Sequence, residues 1–100
     1  MTDLPLKDVR EMSLDAVRSI AGSQAGDAEV AIGLDSSDEL VYYITLQLEP
    51  GQHSILSPAD RIRISHKIRD ALIEAGDERY PHLRFLSRDD WDARNRARSR

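Results

Sequence analysis

The sequence predicts an α+β fold, a two-layer arrangement with a three-stranded sheet containing a β-hairpin, in the order α-β-β-α-β-α. Three observations carry this. Residues 28–34 and 40–48 alternate apolar and polar side chains with a period of two, on either side of a polar turn. Ser57-Pro58-Ala59-Asp60 and Ser87 with Asp90 each open a helix, because a serine hydroxyl can accept an unsatisfied amide of the first turn. Gly22 and Gly76 each follow a segment of helical periodicity and mark its end.

The first element is a helix from about Pro5 to Ala21. Pro5 suits a first turn, Asp3 is a candidate cap, and Val9, Met12, Ala16 and Ile20 recur at helical spacing with Leu6 and Val17 alongside. Ser13 can alternatively cap a second, shorter helix, which would break the first near Met12. A polar loop is expected over Gly22–Asp27. In the first strand Ala28, Val30, Ile32 and Leu34 share one face; in the second, Leu40, Tyr42, Ile44, Leu46 and Leu48 do. Asp35-Ser36-Ser37-Asp38 supplies the turn, since short polar side chains bond nearby backbone amides.

After a loop opened by Pro50-Gly51, the second helix is predicted over about 57–75, its core stripe being Ile64, Ile68, Ala71, Leu72 and Ala75. His82–Leu86 reads as a short third strand with Leu83 and Phe85 on one face. A last helix begins near Arg88. Residues 1–93 are read as a single domain and 94–100 as a basic tail expected to fray. The α-β-β-α-β core resembles the layout of BON-type and KH-like modules. Gly22 and Gly26 are, however, spaced GxxxG, whereas the KH loop is GxxG, and a shared layout implies no activity.

Composition narrows the function classes. The chain has 100 residues, 32% of them charged, and no cysteine, which excludes disulfides, thiol catalysis and cysteine-based metal sites. Its longest strictly apolar run, Leu40–Ile44, is far too short for a transmembrane helix, and no signal-peptide pattern is visible. A cytoplasmic location is therefore expected. No Walker loop, GxGxxG, HExxH or GxSxG pattern is present. Gly22-Ser23 resembles the GS element of nucleotidyltransferases, yet the DxD pair that would hold magnesium on the next strand is missing. His66 and Asp70 stand at i, i+4, but a metal would need His53 or His82 as well. The chain is accordingly read as no enzyme, with no cofactor and no metal.

Charge is divided along the chain. Residues 1–60 carry three basic and eleven acidic side chains, residues 61–100 eleven basic and seven acidic. The basic half offers an alternative reading as a nucleic-acid-binding accessory protein, through Arg61, Arg63, Lys67, Arg69, Arg94, Arg96 and Arg98.

The second helix holds the more informative pattern. At about 100° per residue, Ile62, His66, Arg69 and Ile73 fall together, nearly opposite the core stripe. A purely solvated face has no need of two isoleucines bracketing a histidine and an arginine, whereas an interface with an apolar centre and a cationic rim does. The reading is a small non-catalytic protein-interaction or regulatory module, a homodimer or a binder of another protein, using this outer side. Trp91 and the sheet face around Tyr43 make a second candidate surface.

Overall fold

A computed structural model describes residues 4–22, 25–48 and 57–98. The element order is α1 (Leu6–Ala21), β1 (Ala25–Leu34), β2 (Leu40–Leu48), α2 (Pro58–Glu74), β3 (Pro81–Ser87) and α3 (Arg88–Arg98). This is the α+β order expected. The sheet runs β1-β2-β3, with β1 and β2 antiparallel and β2 and β3 parallel, so that both β1 and β3 are edges.

Helix α1 is continuous. Ser13 neither caps nor breaks it, because its buried hydroxyl donates back to the Val9 carbonyl at 2.8 Å, one turn earlier. The helix starts after Pro5 without a side-chain cap, and Asp3 lies outside the described residues. Strand β1 begins at Ala25, earlier than expected. Its pairing with β2 extends to Ala25 opposite Leu48, with a register irregularity between Ala25 and Asp27 that takes up Gly26 as the extra residue.

The turn is built by Asp35, whose Oδ1 accepts the amides of Ser37 at 2.8 Å and Glu39 at 3.0 Å. The Glu39 amide first, then that of Ser37, holds the Asp35 carboxyl below its ordinary range.

Helix α2 starts as the sequence indicates, with Ser57 Oγ accepting the Asp60 amide at 3.1 Å and Pro58 in the first turn. It ends at Glu74, and two residues on Gly76 has a φ of +86°, a left-handed value that a side chain would strain. There the Asp77 amide reaches back to the Leu72 carbonyl at 2.9 Å and the Gly76 amide to Ile73 at 3.0 Å. Ser87 repeats the capping at α3, accepting the Asp90 amide at 3.2 Å.

One sheet face meets α1 and α2. Ala28, Tyr42, Ile44, Leu46 and Leu48 form a buried cluster with Val9, Leu14, Ala16 and Val17 of α1 and Ile64, Ile68 and Leu72 of α2. The cover stops short of the hairpin end. Ile32, Leu34 and Leu40 continue the apolar face, but they are exposed rather than core residues. Strand alternation fixes which face a side chain takes; the reach of the helices fixes whether that face is buried.

The opposite face holds Val41, Tyr43, Thr45 and Gln47, and α3 covers part of it. Helix α3 runs on past residue 93, to Arg98. Glu29 of β1 lies opposite Thr45 and takes both Arg94 and Arg98, each at 2.7 Å, so the arginines of the expected tail fasten α3 to the sheet.

Candidate interaction surface

The outer side of α2 follows from its own periodicity. With Ile64, Ile68 and Leu72 fully buried against the sheet, a side chain half a turn away must point outward. Ile62 and Ile73 are 55% and 52% exposed, and His66 and Arg69 between them are also exposed. The four residues lie within about 60° of one another around the helix.

Arg69 leans sideways from this stripe. Its guanidinium carbon sits 5.2 Å from the centre of the Tyr80 ring, just ahead of β3. The Tyr80 ring lies 5.1 Å from the ring of His82, and His82 stacks on Tyr43 at 5.5 Å and 21°. Tyr43 and His82 are opposite one another in the parallel β2–β3 register. A row of Arg69, Tyr80, His82 and Tyr43 therefore runs around the β3 edge, joining the outer side of α2 to the open part of the opposite sheet face. Sequence reasoning treated the α2 stripe and Tyr43 as separate surfaces, weighed His82 only as a metal ligand and did not single out Tyr80. The link depends on a parallel register, for which no local sequence signal exists.

Tyr43 is fixed in place. Its hydroxyl donates to the Leu34 carbonyl at 2.8 Å, and its ring lies over Gly33, where an added Cβ would fall 2.8 Å from Cε2. Trp91 does not belong to this exposed surface. It is buried under α3, with Arg94 5.8 Å from its ring, on the sheet face opposite α2.

The basic residues are dispersed rather than gathered. Arg61 lies 5.6 Å from the Phe85 ring, Arg63 pairs with Asp60 at 3.4 Å, and Arg94 and Arg98 are held by Glu29. Lys67 and Arg96 are exposed. Burial pushes the Glu29 carboxyl up, but the hydrogen bonds and charges of Arg94 and Arg98 outweigh it and leave the group below its ordinary range.

Among the described residues no three His, Asp or Glu side chains come together as a metal site; His53 lies outside them. No described helix is long and apolar enough to cross a membrane. Comparison with protein-family models, curated proteins and solved structures returned no match.

Proposed function

We propose that this chain is a small non-catalytic interaction module that self-associates through the outer side of α2. The observation that carries the reading is the exposure of Ile62 and Ile73, each more than half open, on one line with His66 and Arg69. Burying the exposed half of each isoleucine against a partner is worth about half of the roughly 1.5–3 kcal/mol of full burial, before the costs of association. Exposed cationic and aromatic groups border them, at Arg69 and Tyr80, as at the rim of a protein interface.

The nucleic-acid alternative has less support. Five of the arginines it needs lie against aromatic rings or carboxylates of the same chain. Its test is binding that falls steeply with salt and disappears when residues 94–100 are removed.

Self-association is tested by size-exclusion chromatography with light scattering over a range of protein concentrations, at low and high salt. The expected result is a dimer that survives high salt and is lost in the double variant Ile62→Asp/Ile73→Asp. A wild-type monomer at every concentration, or a double variant that dimerises as well as wild type, overturns the reading.

A further inference from the structure

We propose that a second copy of this chain docks on α2 with its own α2 antiparallel, about a two-fold axis that passes between the two helices, level with Lys67 and Ile68. This rests on the self-association reading and adds its orientation and register. The exposed stripe is symmetric in its spacing: Ile62, His66, Arg69 and Ile73 are separated by four, three and four residues. Reversing the helix about its middle therefore places Ile62 against the partner's Ile73 and His66 against the partner's Arg69. A two-fold interface needs one patch complementary to its own reversed copy, and this stripe meets that condition.

The charges beside the stripe specify the same direction. Arg63, Lys67, Asp70 and Glu74 occupy one flank, about 80–140° around from Ile62, and all four are exposed. The two cations come first along the helix and the two carboxylates last. In an antiparallel pair the same flank of each helix faces its counterpart, so Arg63 meets the partner's Glu74 and Lys67 the partner's Asp70. In a parallel two-fold pair this flank would instead lie against the partner's other flank, and neither pairing would form. Opposite charges across helix flanks select partner and orientation in paired helices generally. On the other flank Arg61 is drawn onto Phe85 of its own chain, which keeps that cation off the seam, while Arg69 within the stripe leans onto Tyr80. Helix α3 fastens to the opposite sheet face through Glu29 and leaves this side of α2 open.

Cysteine cross-linking tests the register, and the chain has no cysteine of its own to interfere. Ile62→Cys and Ile73→Cys are prepared singly, then oxidised alone and as an equimolar mixture. In the antiparallel pair residue 62 lies about 16 Å along the axis from the partner's 62, beyond the roughly 4.4–6.8 Å Cα separation of a disulfide. The expected result is a covalent dimer from the mixture and none from either variant alone. Covalent dimers from the single variants at the rate of the mixture overturn the orientation.

A charge series supplies the second reading. Arg63→Glu/Lys67→Glu and Asp70→Lys/Glu74→Lys should each raise the dimer Kd by about tenfold or more, and the fourfold inversion should restore it. If both double variants keep the wild-type Kd while Ile62→Asp/Ile73→Asp abolishes the dimer, the register is wrong and self-association through α2 stands. If wild type is monomeric by light scattering, both fail.

Discussion

The hydroxyl of Tyr42, buried in the centre of β2, donates to the carboxylate of Asp77 in the connection between α2 and β3. Asp77 is itself buried, and its other oxygen accepts the Arg79 amide at 3.0 Å. The Arg79 guanidinium lies 5.6 Å from the Tyr42 ring. The pair thus joins the central strand to the end of α2 and fixes where β3 begins beside β2.

Removing the Tyr42 hydroxyl leaves one buried carboxylate oxygen without its donor. Tyr42→Phe should therefore destabilise the fold by about 1–3 kcal/mol, although the ring and its packing are retained. Urea unfolding measures this, and a midpoint unchanged from wild type would show that Asp77 finds another donor.

The same pair sets a limit in alkali. Burial first, then the hydrogen bond and charge of Asp77, raise the Tyr42 phenol above its ordinary value of 10.0, with Arg79 opposing. A group whose pKa is raised by folding contributes stability below its unfolded value and loses it as pH rises through the folded one. Wild-type stability should decline above pH 10, and the decline should be shallower in Tyr42→Phe. Parallel slopes for the two proteins would contradict this.

Gly33 and Tyr43 make a second close relationship. Alanine in place of a strand glycine ordinarily stabilises by about 0.4–1 kcal/mol through the unfolded chain. Here the new methyl would meet the Tyr43 ring at 2.8 Å from Cε2, so the ring must leave its position and give up the Leu34 carbonyl. Gly33→Ala is expected to destabilise by about 1 kcal/mol and to shift the ring resonances of Tyr43 and His82 together. A stabilised variant with unchanged resonances would mean that the ring does not rest on Gly33.

What was legible in the sequence was local. Ser57 and Ser87 announce their helices because a cap bonds an amide three residues away. The hairpin is readable because alternation and turn chemistry act over a few neighbouring residues. The outer side of α2 is readable too, since 3.6-residue periodicity that buries Ile64, Ile68 and Leu72 directs Ile62 and Ile73 outward. Ser13 was ambiguous because the same hydroxyl can cap a helix or bond within one. Illegible features depend on packing between distant parts of the chain. Leu34 and Leu40 look like core residues and are exposed because no helix reaches them. Tyr80 and His82 gain significance only when β3 is set parallel to β2. The arginines after residue 93 look like a solvated tail until Glu29, 65 and 69 residues away, is brought beneath Arg94 and Arg98.

That clamp on Glu29 leads to the last prediction. Trp91 is the one buried side chain among the described residues of helix α3, and two of the helix's arginines hold one carboxylate of the sheet. The helix should therefore be the first element to detach, since elements with little buried apolar area open below the global unfolding free energy. Acid attacks the clamp directly. The folded pKa of Glu29 is depressed, so its contribution is present above the ordinary glutamate value of 4.5 and lost as pH falls through the lower folded value. Glu29→Gln should produce a similar loosening at neutral pH, because the amide keeps the size but loses the charge. Both treatments should red-shift the emission of Trp91, the sole tryptophan, and speed amide exchange over residues 91–98. Exchange in α1 and β2, whose core lies on the other sheet face, should change far less. If exchange instead accelerates equally throughout the chain, α3 is not a separate unit and Glu29 supports the whole fold.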